Sequence, residues 1–140
     1  MTTLYENDFY LWTQQTAALI RAGEIPHAEL EHLAGEIEDM GNRDRNELWT
    51  RVKVLLAHML KWQAQPNLQS RSWELTIDVQ RDEIQQLLTT MPSLRRYLAD
   101  HLDEIYPTAV RLAMKESGLP KVSFPAECPY GISEILEPQE

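Results

Sequence analysis

Residues 46–63 read NELWTRVKVLLAHMLKWQ, and this stretch decides the fold. Its apolar side chains recur at intervals of three and four, which is the repeat of an α-helix and not of a β-strand. They are Leu48, Val52, Leu55, Leu56, Met59, Leu60 and Trp62. An apolar face this broad predicts a central helix that is surrounded by other helices.

The sequence on the N-terminal side predicts two more helices. The first begins near Asn7 or Asp8, which are favourable N-caps, and ends at Gly23, a residue suited to a left-handed C-cap. The second follows a turn at residues 24–26, and we expect its apolar face to join the core while its acids face solvent. That face consists of Leu30, Leu33, Ala34, Ile37 and Met40.

Gly41 and Asn42 separate this face from the central stretch. The apolar phase of Ile37 returns at Leu48, so a kinked long helix and two separate helices predict the same pattern. Glycine costs about 1 kcal/mol in a helix interior relative to alanine. We therefore expect a break or a kink at this point.

Two further helical repeats follow on the C-terminal side. The first is capped by Ser70 or Ser72 and ends near Pro92. The second covers residues 93–117 and contains Pro107. Because a proline in a helix interior costs about 3 kcal/mol, we expect a kink or a split just before Pro107.

No segment shows a clean two-residue alternation bounded by turn signals, so a sheet is not expected. We predict an all-α protein, a helical bundle of five to six helices with an irregular proline-rich C-terminal tail. A length of 140 residues suits one domain, so residues 1–140 are predicted to form a single helical domain. Residues 118–140 are predicted to be a mostly irregular tail that packs on the bundle.

Composition restricts the partners and the compartment. The formal net charge is -9, from 22 acidic and 13 basic residues, which disfavours binding to nucleic acid and to anionic membrane surfaces. Apolar runs fall short of the ~18 residues of a membrane span, and the N-terminus lacks the pattern of a secretory signal. The single cysteine, Cys128, cannot form an internal disulfide, which fits a reducing compartment. We expect a cytoplasmic protein.

Several short motifs together resemble a known family. They are Tyr5-Glu6, Asp8-Phe9 and Trp12; residues 36–41 (EIEDMG) and 58–63 (HMLKWQ); Ser72-Trp73 and Arg81; Pro92-Ser93-Leu94; Tyr106; Phe124-Pro125; and Cys128-Pro129-Tyr130. On these residues the sequence resembles the bacterial family called domain of unknown function number twenty-nine, which is common in cyanobacteria. The resemblance implies a helical fold, and it brings no activity, substrate, cofactor or catalytic residue with it.

The clearest candidate for chemistry is a contact between polar side chains of the second helix and the central helix. Glu36 lies at the border of one apolar face, and His58 and Trp62 lie four apart along the edge of the other. If the two edges face each other, a carboxylate orients the His58 imidazole, as in general acid–base catalysis. Arg81 is a further candidate in this group. A structural ion pair with a buried, hydrogen-bonded histidine explains the same residues and is favoured, because buried polar groups find partners in any bundle.

The glutamate and histidine residues of the sequence do not complete the ligand set of a known metal site. A di-iron bundle needs two Glu-x-x-His units, and the chain offers only Glu29 with His32. A three-histidine site from His32, His58 and His101 fails because His32 projects onto the predicted solvent face. We therefore expect no metal and no cofactor; His58, His101 and Glu36 are the weak candidates that remain.

Aromatic and basic side chains supply two further possibilities. The tryptophans Trp12, Trp49, Trp62 and Trp73 could line a pocket, but at helical spacing they are more often core residues. Arg71, Trp73 and Arg81 could bind an anion near a helix N-terminus, and capping or ion pairing explains them equally well.

Two functions survive these observations. The first is an acidic helical protein-interaction module of the bacterial cytoplasm, which binds a protein partner or a second copy of itself. The alternative is a small enzyme or metal-dependent helical bundle centred on His58 and Glu36. The residues leave open whether the protein is an enzyme.

Overall fold

A computed structural model describes residues 3–137, and within this range the secondary structure is helical, without strands. The α-helices are α1 (Leu4–Asn7), α2 (Phe9–Ala22), α3 (His27–Ala64), α4 (Arg71–Thr90), α5 (Leu94–Ser117) and α6 (Ile132–Leu136), and Pro66–Leu68 and Lys121–Ser123 form short 3-10 helices. The all-α class is confirmed. None of the described helices combines the length and the apolar character needed to cross a membrane.

The chain divides into two compact units, Met1–Arg43 and Asp44–Glu140. The first unit contains α1, α2 and the N-terminal part of α3. The second contains the rest of α3 and all later helices. That residues 1–140 form one domain stays a prediction.

In the first unit, α2 begins and ends where its capping residues predict. The Asp8 side chain accepts a hydrogen bond from the Leu11 N–H at 3.0 Å, which satisfies one of the free donors of the first turn. Gly23 ends the helix at a φ of 71°, a left-handed conformation that is strained for residues with a Cβ atom. Both predicted ends are confirmed.

α3 is continuous through Gly41 and Asn42, so of the break or kink expected there the break was wrong. The cost of one glycine, about 1 kcal/mol, is small in a long helix because each added residue of the helix contributes its own hydrogen bond. The residues around Gly41 include Glu38, Met40 and Arg43, all strong helix formers. Their high helix propensity offsets the cost of the glycine.

The core of the second unit forms around the central stretch of α3. Leu48, Val52, Leu55 and Leu56 of α3 are fully buried, as predicted. The other helices supply Ile77, Ile84, Leu88, Leu98, Ile105, Ala109, Val110, Ala113, Ile135 and Leu136. The apolar repeat of residues 46–63 therefore identified the centre of this unit correctly.

α5 runs without a split through Pro107, contrary to one of the two outcomes expected there. Proline lacks the N–H that would bond to the carbonyl of Asp103, four residues earlier. Pro107 and Asp103 are both exposed, so water can solvate that carbonyl group. The helix tolerates the proline because it lies on the solvent side.

The segment after α5 packs back onto the helices of the second unit. Gly118 ends α5 at a φ of 77°, and Phe124, Tyr130 and Leu136 beyond it are buried. The Tyr106 hydroxyl of α5 donates a hydrogen bond to the Pro125 carbonyl at 2.6 Å. Residues 118–137 thus contribute side chains to the core.

Two side chains of α4 bind the C-terminal end of α6. Arg81 donates from Nε to the Ile135 carbonyl at 3.0 Å and from Nη2 to the Glu134 carbonyl at 3.2 Å. Gln85, one turn along α4, donates to the Leu136 carbonyl. The last carbonyl groups of a helix lack partners within the helix, so α4 supplies the C-cap that α6 cannot make for itself.

The Gln85→Ala substitution tests this cap. We expect it to lower the free energy of unfolding by about 1 kcal/mol, the net value of one such hydrogen bond, as measured by urea denaturation. Gln86→Ala is the matched control, since Gln86 is an exposed glutamine one position away on α4. If the two variants lose the same free energy of unfolding, Gln85 does not cap α6.

Candidate functional site

The predicted contact between Glu36 and His58 was wrong, because both residues belong to the single helix α3. Side chains on one helix meet only at spacings of three or four residues, so these two do not pair. Glu36 instead accepts a hydrogen bond from the Tyr5 hydroxyl, and Nδ1 of His58 lies 2.9 Å from the Val54 carbonyl oxygen, one turn earlier. Each side chain has a partner other than the one predicted, and neither contact supports acid–base catalysis.

The metal candidates also have other partners. Nδ1 of His101 lies 2.8 Å from the Tyr97 carbonyl oxygen, and the two rings stack at 4.1 Å. Within residues 3–137, no three histidine, cysteine, aspartate or glutamate side chains lie close enough together to hold a metal ion. His58, His101 and Glu36 are therefore not assembled into a ligand set.

The apolar pattern of its helix predicted that His32 lies on the solvent face, whereas the structure half-buries it. Its side chain is 31% exposed, and its ring stacks on the Tyr5 ring with centroids 4.2 Å apart. Its Nδ1 lies 3.4 Å from the Glu29 carboxylate. The Glu-x-x-His spacing was visible in the sequence, but its partners were not.

The first unit is held together by a polar seam, which consists of Tyr5, Trp12, Glu29, His32 and Glu36. The indole N–H of Trp12 donates to the Glu29 carboxylate at 2.6 Å, while the Trp12 side chain is 4% exposed. Tyr5 and Trp12 also make an edge-to-face contact at 4.8 Å. Tyrosine and tryptophan suit this position because each buries an aromatic ring and still offers a donor at its tip.

The polar seam turns the apolar face of α3 outward. We name Leu30, Ala34, Ile37 and Met40 the α3 stripe; these residues follow one another at spacings of three and four and therefore share a face. Leu30 is 42% exposed, and Ile37 and Met40 are each 60% exposed. The expectation that this face joins the core was wrong for these four residues, and Leu33 of the same face is half-buried. Trp12 and Tyr5 pack on α3 through Glu29 and Glu36 instead.

The surroundings of the α3 stripe are strongly acidic. Residues 1–43 hold eight acidic and two basic residues, which gives this unit a net charge of about -6 out of the total of -9. Glu31, Glu38 and Asp39 are exposed on the same stretch of α3. An exposed apolar face bordered by one sign of charge is typical of an interaction site.

In the second unit, Trp62 and Arg81 line one cavity of about 190 Å³. Its wall also includes Ile77, Asp78 and Tyr130. Arg81 is 7% exposed, and burial lowers the pKa of its guanidinium. Burial likewise raises the pKa of Tyr130 far above its ordinary value, so its hydroxyl stays protonated. Two of the four candidate site residues are thus brought together, in a setting that the sequence did not predict.

For Arg71, Trp73 and Arg81 the sequence allowed either an anion site or structural roles, and Trp73 and Arg81 make structural contacts. Trp73 lies beneath Lys61, whose Nζ is 5.1 Å from the centroid of the ring. Lys61 is itself buried, and its Nζ is 3.4 Å from the Glu116 carboxylate. Trp73 therefore helps to bury a structural ion pair.

The Glu29→Gln substitution tests the polar seam. The hydrogen bond from Trp12, aided by His32, lowers the pKa of Glu29 below the ordinary value of 4.5. A carboxylate whose pKa is lowered by folding stabilises the protein above the unfolded-state pKa, and this stabilisation is lost as the pH falls through the folded-state pKa. Glutamine can still accept from Trp12 but does not titrate in this range. We expect the stability of Glu29→Gln to fall less between about pH 6 and pH 3 than that of wild type.

Urea denaturation followed by circular dichroism at both pH values measures the difference. Glu31→Gln is the control, because Glu31 is an exposed acid two positions away on α3. If both variants keep the pH dependence of wild type, the seam does not stabilise the fold through Glu29.

Comparison with known proteins places the chain in a family. The family model described as "Domain of unknown function DUF29" matches residues 4–139. Searches of curated proteins and of solved structures found no match. The family match covers nearly the entire chain and confirms the resemblance seen in the sequence motifs. The chain therefore belongs to the DUF29 family of domains of unknown function.

Proposed function

We propose that this protein is an interaction module of the bacterial cytoplasm, whose α3 stripe binds a basic amphipathic helix of another protein. The observation that carries the proposal is an apolar face of α3 that stays exposed inside an acidic unit. The lone cysteine supports a reducing compartment, and the family resemblance supports a bacterial origin.

The α3 stripe has the spacing by which helices bind one another. Leu30, Ala34 and Ile37 occupy positions i, i+4 and i+7, which are the anchor positions used when an amphipathic helix docks on an apolar face. Complete burial of a leucine, isoleucine or methionine side chain yields about 1.5–3 kcal/mol. Since Leu30, Ile37 and Met40 are about half exposed, a partner helix that covers them gains a substantial part of this.

Charge selects a basic partner over a second copy of this chain. Two copies that meet through the α3 stripe bring together two units with a charge of about -6 each, and like charges across an interface oppose association. A helix with lysine or arginine along the borders of its apolar face meets Glu31 and Glu38, which lie three and four residues from Ala34, with the opposite sign. Such complementarity also accelerates the encounter of the two proteins.

The alternative, an enzyme or metal-dependent bundle centred on His58 and Glu36, is not carried forward. Both residues are on one helix, where Glu36 is bound to Tyr5 and His58 to the Val54 carbonyl group instead of to each other. No observation among the described residues favours it over the interaction module.

A designed peptide tests the proposal directly. The probe is a fluorescent helix of about 18 residues, five turns, with leucine on one face and lysine on the others. A scrambled peptide of the same composition, which lacks the apolar face, is its control. We expect the helical peptide to bind at least about tenfold more tightly than the scrambled peptide, as measured by fluorescence anisotropy.

The Ile37→Asp variant locates the binding surface. It places a charge in the middle of the α3 stripe, and we expect it to weaken binding of the helical peptide at least about tenfold. Val79→Asp is the matched control, since Val79 is 52% exposed on α4. Equal effects of the two variants would overturn the proposal. A dimer in light scattering that Ile37→Asp dissociates would also overturn it, because the α3 stripe would then bind a second copy.

A further inference from the structure

We infer that the cavity of the second unit, between the C-terminal part of α3, α4 and Tyr130, binds a free α-amino acid with an apolar side chain. The inference is independent of the function proposed for the α3 stripe, which lies in the other unit. It rests on three kinds of group that line one small cavity: a buried cation, a pair of carboxylates and an apolar wall.

Arg81 is the group that would bind the ligand carboxylate. Its Nε and Nη2 bond to backbone carbonyls, and Nη2 also lies 3.9 Å from the Met59 sulfur. All three acceptors are neutral, and the structure gives Arg81 no carboxylate partner among residues 3–137. The charge of Asp78 acts on Arg81 without forming an ion pair, so a ligand carboxylate at Nη1 would add a charge-assisted hydrogen bond that the three neutral acceptors do not provide.

The solvent exposure of Arg81 is consistent with this direction of binding. Nη1 makes no hydrogen bond within the described residues. If it were fully buried, it would be a buried atom without a partner, but among residues 3–137 only the Tyr130 hydroxyl is such an atom. Nη1 is therefore reached by solvent, although Arg81 as a whole is 7% exposed. Since Arg81 lines the cavity, the cavity is where an anion can approach it.

Tyr130 provides a second unused donor beside Arg81. It is 6% exposed and lines the cavity, and its hydroxyl has no partner among residues 3–137, which is rare for buried polar groups in native proteins. Tyr130 and Arg81 line the same cavity, so the two groups are neighbours. A carboxylate at Arg81 would have an acceptor oxygen for this hydroxyl.

Asp78 and Glu74 select a zwitterion over a simple anion. Both carboxylates line the cavity, and they lie one turn apart on α4. They would repel phosphate or a dicarboxylate, whereas an ammonium group would relieve the repulsion between them. A ligand with one carboxylate and one ammonium group matches both sides of the cavity.

The remaining wall and the volume set the size of the ligand. Ile77, Met59 and Trp62 form an apolar wall, and the cavity volume is about 190 Å³. Pockets for drug-sized ligands are larger, about 300–1,000 Å³. A single amino acid with an apolar side chain has the matching charge, size and polarity.

Isothermal titration calorimetry with L-alanine, L-valine, L-leucine and L-phenylalanine tests the inference on the full chain. We expect at least one of the four to bind. The tightest of them is then compared with its two analogues that lack either the amino group or the carboxylate. Each analogue should bind at least about tenfold more weakly, since it leaves one charged side of the cavity unmatched.

Two variants locate the site without disturbing the contacts of α6. Asp78→Asn should weaken binding about tenfold, while Asp82→Asn, which changes an exposed acid one turn along α4, should not. Tyr130→Phe removes an unpaired hydroxyl, so it should preserve the thermal stability and weaken binding. The inference is overturned if none of the four amino acids binds at millimolar concentration, if the analogues bind equally well, or if Asp78→Asn and Asp82→Asn have the same effect.

Discussion

Burial of one face of α3 is the constraint on which the second unit depends. Leu48, Val52, Leu55 and Leu56 reach full burial only when other helices cover them from several sides. The spacing of these side chains requires that the neighbours run along α3 and present apolar faces of their own. α4, α5 and the residues after α5 meet this requirement, which explains why the C-terminal segment packs into the core through Phe124 and Ile135.

Buried polar groups then decide how the covering elements are fixed. Arg81 binds the end of α6, and Lys61, which lies over the ring of Trp73, pairs with Glu116. Such groups have strict geometric requirements, because a buried donor or charge without a partner is costly. The hydrogen bonds of Arg81 thereby fix the position of α6, which is too short to be stable alone. The bonds of Arg81 also leave part of its guanidinium free at the wall of a cavity.

The first unit follows a different rule. Its helices meet through the carboxylates of Glu29 and Glu36, which accept from Trp12 and Tyr5, and the apolar face of α3 is left in water. Charge-assisted hydrogen bonds to partly buried aromatic donors are strong enough to set the packing of so small a unit. The exposed apolar face and most of the acidic residues of this unit lie on the same stretch of α3.

The sequence by itself determined the all-α class, the ends of α2 at Asp8 and Gly23, and the buried face of residues 46–63. These features depend on local caps and on the helical repeat, both of which are read from residues close together in the chain. Only the tertiary structure decided which face of residues 27–43 is buried, whether α3 passes Gly41, and which groups surround Arg81. The physical reason is distance along the chain. Glu36 accepts a hydrogen bond from Tyr5, and Arg81 donates to the carbonyl groups of Glu134 and Ile135. Partners so far apart in sequence leave no periodic pattern from which the contact could be predicted.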